Sequence, residues 1–165
     1  MAKMTMVQAL NLALRQEMEK DDRVLVLGED VGKDGGVFRV TDNLIDRFGE
    51  DRVIDTPLAE SGIVGMSIGM ALYGLRPVCE IQFSGFSYQA FHQIENHAAR
   101  MRWRSQGRFQ VPMVLRTPYG GGVRALEHHS ESREVYYAHT PGLKMVIPSG
   151  PRNARALLVS AIRDP

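Results

Sequence analysis

The run Asp55-Thr56-Pro57-Leu58-Ala59-Glu60-Ser61-Gly62 places the carboxylate of Glu60 between two segments of different apolar pattern. Arg52 to Ile54 is typical of a short strand, and Ile63 to Leu72 is typical of an apolar helix. The pattern therefore predicts Glu60 at the carboxyl edge of a sheet, where open α/β folds bind ligands. A partly desolvated carboxylate there is suited to proton transfer near neutral pH. The alternative is a first-turn acid that is stabilised only by the helix dipole.

A second group with possible proton chemistry is the run His128-His129-Ser130, which follows the glycine-rich turn Gly120-Gly121-Gly122. This turn comes after a predicted strand, so the histidines also fall at the carboxyl edge of the sheet. A histidine in such a place can transfer protons near pH 7, and an ordinary polar loop residue is the alternative. His92 and His97 fall in a predicted helix, where a solvated or interfacial face is expected. No histidine, cysteine or carboxylate spacing is typical of a metal site.

Aromatic residues and glycines complete the set of candidate binding residues. Phe83, Phe86 and Tyr88 follow a predicted strand and form an aromatic wall suited to a flat heterocycle, with core packing as the alternative. Gly28 to Gly36 is rich in glycine but lacks the G-x-G-x-x-G spacing of dinucleotide sites, and no P-loop motif occurs. Gly65 and Gly69, four residues apart on a predicted helix, indicate close packing against a partner helix.

The composition limits the class of protein. The chain has 165 residues, 44% hydrophobic and 24% charged, which is typical of one globular domain with a core of its own. Twenty basic residues balance nineteen acidic ones, so we expect no nucleic-acid or membrane partner. The single cysteine, Cys79, lies in a predicted strand as a buried thiol, and with no apolar leader at the N-terminus it favours a cytoplasmic location.

The order of the elements predicts the fold class, which is α/β with a doubly wound, mainly parallel sheet and helices on both faces. Thr5 and Gln8 form a predicted capping box for the first helix. Predicted strands are Val24 to Leu27, Arg52 to Ile54, Pro77 to Ile81, Pro112 to Arg116 and Leu143 to Ile147. Predicted helices after the first are Thr41 to Phe48, Ile63 to Leu72, Tyr88 to Arg104, Ser130 to Ala138 and Pro151 to Arg163.

Over essentially its whole length the chain resembles the pyrimidine-binding domain of one family. This family comprises the beta subunits of thiamine-diphosphate-dependent 2-oxo acid dehydrogenases, the decarboxylating components of the pyruvate and branched-chain complexes. The matching runs are Thr5-Met6-Val7-Gln8-Ala9-Leu10, Gly28-Glu29-Asp30-Val31-Gly32, Gly35-Gly36-Val37-Phe38, Asp55-Thr56-Pro57-Leu58-Ala59-Glu60, Glu80-Ile81-Gln82-Phe83, His129-Ser130 and Pro141 to Ser149. So many ordered matches are far more specific than any single motif.

The resemblance implies roles for particular residues. Glu60 would hydrogen-bond the ring nitrogen of the cofactor's aminopyrimidine, on which Phe86 would pack. Glu29 would belong to the carboxylate network of the site, and His129 would face the channel where the acyl group passes to a lipoyl group. A potassium ion would lie near Ala161 and Asp164, and no other metal is expected on this chain.

The resemblance also implies partners. The Gly-Asp-Gly motif that holds pyrophosphate and magnesium is absent from the sequence, so an alpha subunit of an alpha2-beta2 heterotetramer would bind them. Further partners would be the lipoyl acyltransferase core and a small 2-oxo acid, either pyruvate or, as the run His128 to Ser132 favours, a branched-chain acid. Residues 1–165 would form the pyrimidine-binding domain, without the C-terminal domain of the family. Gln89 and His92 stand where some relatives carry acids of a proton path.

Two alternatives stay open at this point. One is a noncatalytic interaction or regulatory domain that retains the fold. The other is the pyrimidine-binding domain of a transketolase-like enzyme, which usually shares a chain with its pyrophosphate-binding domain.

Overall fold

The computed structural model describes residues 3–165, and within them four parallel strands form one sheet in the order β2-β1-β3-β4. The strands are β1 (Val24–Gly28), β2 (Val53–Asp55), β3 (Arg76–Glu80) and β4 (Val114–Arg116). The central strand β1 pairs with β2 on one side and with β3 on the other. The chain runs from β1 to β2 at one edge, crosses over β1 to reach β3, and continues to β4 at the other edge, which is the doubly wound arrangement predicted from the sequence.

Helices cover both faces of this sheet. The α-helices are α1 (Met6–Lys20), α2 (Leu44–Phe48), α3 (Glu60–Leu72), α4 (Met101–Arg104), α5 (Glu134–Ala138) and α6 (Pro151–Arg163). A 3-10 helix (Ser84–Ala90) and a π-helix (Gln93–Ala98) lie between β3 and α4. No helix within residues 3–165 has the combination of length and apolar character that would let it cross a membrane.

One face of the sheet packs against α1 and α6. The predicted capping box starts α1, because Thr5 N donates to Gln8 Oε1 (2.9 Å) and Gln8 N donates to Thr5 Oγ1 (3.2 Å). The apolar side of α1 then meets α6 over β1. The core of this face contains the buried side chains Ala13, Leu14, Met18, Val24, Val26, Val78, Leu158 and Ile162.

The opposite face packs against α3 and the 3-10 helix. Its core contains Leu25, Leu27, Ile63, Val64, Ile68, Cys79, Ile81, Ala90 and Ile94. Both faces of β1 are thus covered, which explains why Val24 to Leu27 is apolar without alternation. Cys79 is buried as predicted, and burial raises the pKa of its thiol to about 12.

Four predicted elements differ in the structure. The helix predicted from Thr41 begins only at Leu44. Asn43 has a left-handed backbone (φ 60°), which is incompatible with a helix that starts before it. The helix predicted from Ser130 begins only at Glu134. Its expected first turn is used in tertiary contacts, since the Glu131 carbonyl accepts from Ser84 Oγ (2.6 Å) and Gly120 N (3.0 Å).

The long helix predicted for Tyr88 to Arg104 is divided into 3-10, π and α segments, and the strand predicted for Leu143 to Ile147 is not formed. The π segment closes with Ala99 N donating to the Ile94 carbonyl (2.9 Å), and the chain then turns where Gly142 packs on the Ala99 carbonyl. Leu143 to Ile147 has strand composition but no strand partner within residues 3–165. β-branched and apolar residues are suited to a buried pleated surface, but they form a strand only where a neighbouring strand is available for pairing.

A buried ion pair joins the carboxyl ends of β3 and β4. Arg116 donates to Glu80, its register partner, and the Glu80 side chain is only 2% exposed. Burial lowers the pKa of Arg116 to about 10. The Glu80 carboxylate also lies under the loop after β1, since a Cβ on Gly36 would be 3.3 Å from Glu80 Oε1.

This pair generates a stability prediction. Arg116→Met leaves the Glu80 carboxylate buried without a cation, which typically costs about 3–5 kcal/mol. We expect that loss in the free energy of unfolding measured by urea denaturation. The double variant Glu80→Met/Arg116→Met should recover most of it, because it removes both charges.

Lys144→Met is the matched control, because it breaks the exposed pair with Asp164 and should cost no more than about 1 kcal/mol. An Arg116→Met variant as stable as this control would contradict the role given to the buried pair.

Candidate functional site

Two buried carboxylates lie together at the carboxyl edge of the sheet. Glu29 follows β1 directly, and Glu60 is the first residue of α3, which follows β2. The two side chains are only 6% and 5% exposed, respectively. The predicted position of Glu60 at this edge is therefore what the structure shows, and Glu60 is also the acid in the first turn of α3. A position at the carboxyl edge of the sheet and a position in the first turn of a helix are therefore both correct for Glu60.

Electrostatics distinguish Glu29 in this pair. Burial raises the pKa of the Glu29 carboxyl, and the negative charges of Glu60 and Asp30 raise it further. Glu29 Oε1 is buried without a hydrogen-bond partner among the described residues, and so is Thr56 Oγ1. Thr56 lies beside the end of β1, because its N–H donates to the Gly28 carbonyl (3.0 Å). These unpartnered polar atoms fit a site that a polar ligand completes.

The loop after β1 is fixed by Asp55 at the end of β2. Asp55 accepts from Gly32 N (2.6 Å) and Lys33 N (3.2 Å). A Cβ on Gly32 would lie 2.6 Å from Asp55 Oδ2, so a larger residue would displace the Asp55 carboxylate from these bonds. Gly32 therefore lets Asp55 fix the loop that begins with Glu29.

An aromatic cluster lies next to this loop. The ring centroid of Phe83 is 4.6 Å from that of His129 and 5.7 Å from that of Phe86, and the Phe86 and His129 rings are 5.0 Å apart. Phe38, at the far end of the loop, packs edge-on against Phe83 at 5.6 Å. These rings border a cavity of about 100 Å³ that is lined by Phe38, Phe83, Tyr119, Gly120, His129 and Glu131, among others.

The loop that carries His129 is held in place by the 3-10 helix. Ser84 N donates to the Pro118 carbonyl (3.0 Å), and Ser84 Oγ donates to the Glu131 carbonyl (2.6 Å). Gly85 packs so closely on the backbone of His128 that a Cβ would overlap it. Sequence analysis missed Ser84 and Gly85, although a small pair before Phe86 is a signal for close backbone approach.

The structure brings together most, but not all, of the residues predicted to form the site. Gln82 connects the two groups, since its Nε2 donates to Asp30 Oδ2 (2.8 Å) beside Glu29 and it precedes Phe83. Tyr88 is not part of the aromatic wall around Phe83 and Phe86. Its ring instead contacts Tyr136 and the Arg133 guanidinium, whose Cζ is 4.0 Å from the ring centroid.

The remaining candidates lie away from this edge. The rings of His92 and His97 make an edge-to-face contact, with centroids 5.2 Å apart, on the segment around the π-helix. A Cβ on Gly65 would meet only Gln93 (3.8 Å), and one on Gly69 would meet nothing within 4 Å, so any close partner of Gly69 lies outside residues 3–165.

The residues expected near a potassium ion form the C-terminus of α6. The carbonyls of Ile162 and Asp164 accept from Arg76 Nη1 at 2.6 and 3.0 Å, so a guanidinium already lies on this group. The Asp164 carboxylate accepts from Lys144. The potassium site stays a prediction. Within residues 3–165, no three histidine, cysteine or acidic side chains converge as metal ligands.

Comparison with known proteins agrees with this architecture. The family model described as "Transketolase, pyrimidine binding domain" matches residues 2–165. The chain is 57% identical to the "Pyruvate dehydrogenase E1 component subunit beta" of Acholeplasma laidlawii, covering 100% of this chain and 50% of that protein. It is 52% identical to the "2-oxoisovalerate dehydrogenase subunit beta" of Bacillus subtilis (strain 168), covering 99% and 50%. The chain thus spans about half the length of these curated relatives.

One solved structure, titled "Split gene transketolase, inactive beta4 tetramer", shares the fold. Its TM-score is 0.74 at 18% identity, and the match covers 99% of this chain and 49% of that one. At this identity the likeness shows the fold alone.

The raised pKa of Glu29 generates a pH prediction. Because the folded-state pKa lies above the ordinary 4.5, the stability that protonated Glu29 contributes is present below about pH 4.5 and is lost as pH rises through the folded pKa. Glu29→Gln cannot ionise, so we expect its Tm to exceed that of the wild type at pH 7.5. The difference should shrink toward pH 4. For a domain of this length, about 2–4 °C corresponds to 1 kcal/mol.

Thermal unfolding between pH 4 and 8 measures this difference, with Glu19→Gln as a control at a half-exposed carboxylate on α1. A Tm difference between Glu29→Gln and the wild type that is the same at every pH would contradict a raised pKa at Glu29.

Proposed function

The chain belongs to the family of transketolase pyrimidine-binding domains, and from this we propose that it is the pyrimidine-binding half of a thiamine-diphosphate-dependent enzyme. In this proposal it is part of the beta subunit of a 2-oxo acid dehydrogenase, which decarboxylates a 2-oxo acid oxidatively and passes the acyl group to a lipoyl group. The observation that carries the proposal is the buried pair of Glu29 and Glu60 at the carboxyl edge of the sheet. This pair occurs in a chain 52–57% identical to subunits of such enzymes.

The residues present fit the pyrimidine half of the cofactor. Thiamine diphosphate, when bound, supplies the carbanion centre and the electron sink for decarboxylation. Glu60, buried at the start of α3, would hydrogen-bond the ring nitrogen of the aminopyrimidine. The unpartnered Glu29 Oε1 and Thr56 Oγ1 show that polar groups at this edge still have hydrogen-bonding capacity for a ligand.

The carboxylate pair is suited to proton movement. Burial and the nearby charges of Glu60 and Asp30 raise the pKa of Glu29, which favours its protonated form relative to an exposed glutamate. In this proposal Glu60 exchanges a proton with the ring nitrogen, and the neighbouring acid Glu29 supports that exchange. Glu29 therefore acts through Glu60 in this proposal.

The aromatic cluster supplies the apolar and channel-facing side of the site. Phe86 would pack on the aminopyrimidine ring, since it is half-buried beside Phe83. His129, in edge contact with both phenylalanines, would face the substrate, where acyl transfer takes place. The close packing on Gly85 and the bonds from Ser84 keep this histidine loop near the rings.

The other half of the site would come from a partner. No Gly-Asp-Gly motif occurs in the sequence, so we propose that an alpha subunit binds the pyrophosphate and its magnesium ion in an alpha2-beta2 heterotetramer. The lipoyl acyltransferase core would be the next partner. Relatives named for pyruvate and for 2-oxoisovalerate both match, so the proposal names the 2-oxo acid class. Residues 1–165 form one domain of the subunit in this proposal, acting in the cytoplasm.

The alternatives have less support. Transketolase is named by the family model, which covers the domain, and by a structure at 18% identity, which shows the fold, whereas the relatives at 52–57% identity are named as dehydrogenase subunits. A noncatalytic domain would have no need for two repelling buried acids at the ligand edge, since such a pair costs stability.

The decisive experiment is to co-express the full-length beta subunit with a candidate alpha subunit and to assay 2-oxo acids with an artificial electron acceptor. In that enzyme Glu60→Gln keeps the shape of the side chain but loses the acid–base function. We expect kcat to fall by about 10²–10⁴-fold at saturating cofactor, the usual contribution of general acid–base catalysis. Glu19→Gln, on α1, is the control and should keep full activity. Activity of Glu60→Gln within about twofold of wild type would disprove the assignment of Glu60.

A second prediction concerns the isolated chain. Because it lacks the pyrophosphate and magnesium motif, it should bind thiamine diphosphate weakly or not at all. Titration calorimetry with and without magnesium measures this, with the assembled enzyme as the positive control. Magnesium-dependent binding at about micromolar Kd, close to 8 kcal/mol, would contradict the half-site proposal.

A further inference from the structure

A long stretch of the chain carries basic side chains and no acidic ones. Between Glu95 and Glu127 lie six arginines and no aspartate or glutamate. Three of the six already have protein partners: Arg100 pairs with Glu95, Arg116 pairs with Glu80, and Arg104 donates to the Asn96 carbonyl. The side chains of Arg102 and Arg108 have no acceptor among the described residues. Unpaired positive charge is therefore concentrated near α4.

The same segment exposes large aromatic side chains. Trp103 is 88% exposed and Phe109 is 53% exposed, although both are large apolar groups. We define the arginine–tryptophan patch as Arg102, Trp103, Arg104, Arg108 and Phe109. Tryptophan and arginine are the residues most enriched among the dominant contacts of protein interfaces.

Hydrogen bonds hold the backbone of this patch in one shape. Gly107 N donates to the Arg102 carbonyl (2.8 Å), and Arg108 N donates to the Ser105 carbonyl (3.2 Å). Phe109 N donates to Ser105 Oγ (3.0 Å), and Arg104 Nη2 ties the turn to the Asn96 carbonyl (2.7 Å). A preorganised surface loses less conformational entropy on binding than a flexible loop does.

We infer that the arginine–tryptophan patch docks an acidic segment of a protein partner. Carboxylates suit the two unpaired guanidinium groups, with which they form charge-assisted hydrogen bonds, and an apolar side chain of the partner covers Trp103. Nucleic-acid binding would need more charge, since such proteins typically make about 6–10 phosphate contacts. A membrane surface would need a larger basic cluster on a longer amphipathic helix than the four residues of α4.

Trp103 provides the readout, because it is the single tryptophan of the chain. The probe is a short synthetic peptide of glutamates interspersed with leucines, titrated into the 165-residue chain at low salt while tryptophan fluorescence is recorded. We expect a saturable change, which the same peptide with glutamine in place of glutamate does not produce. The experiment requires neither thiamine diphosphate nor a second subunit, so its failure and a failure of the proposed function are distinguishable.

Two double variants locate the binding. Arg102→Glu/Arg108→Glu should lower the affinity for the peptide by at least about tenfold, or 1.4 kcal/mol. Arg15→Glu/Lys33→Glu makes the same change in net charge on other exposed surfaces and should leave the affinity unchanged. Equal weakening by both variants, or no saturable change with the wild type, would overturn the inference. So would a higher affinity for single-stranded DNA or phosphatidylserine vesicles than for the peptide.

Discussion

The buried pair of Glu80 and Arg116 is the constraint on which the ligand edge of the sheet depends. It joins the last register positions of β3 and β4, where the two strands turn toward the candidate site. A buried charge is tolerated only with its partner in place, so the two strand ends cannot separate without a large electrostatic cost. In the loop after β1, Gly36 packs against the same Glu80 carboxylate. One ion pair thus fixes the edge of the sheet and the base of the Glu29 loop.

The site is assembled from strand ends that are distant in sequence. Glu29 follows β1, Glu60 follows β2, and Phe83 comes shortly after β3, whereas His129 arrives on a loop beyond β4. A parallel sheet brings all its carboxyl ends to one edge, which places acids and aromatic rings near each other without a long-range motif. Close packing at Gly32 and Gly85 then sets the distances, because a side chain at either position would collide with its neighbour.

Stability and function oppose each other at this edge. Burial of Glu29 and the charges of Glu60 and Asp30 raise its pKa, so the ionised form of Glu29 is disfavoured in the folded state, and such perturbed groups are concentrated at functional sites. The patch near α4 shows a second kind of cost, since an exposed tryptophan and unpaired arginines gain little from folding. We propose that groups binding from outside the chain account for both features.

The sequence by itself determined the doubly wound α/β fold, the apolar strand β1, the capped helix α1 and the place of Glu60, because these depend on local pattern and on the geometry of parallel strands. Only the tertiary structure decided that the first turn of the helix predicted from Ser130 is used to anchor the loop of His129, and that Tyr88 contacts Arg133 instead of the aromatic wall. It also decided that Leu143 to Ile147 pairs with no strand in the described part of the chain. Each of these depends on a contact with a remote segment. A local pattern records the preference of a residue for burial or for a turn, but not the neighbour that satisfies it.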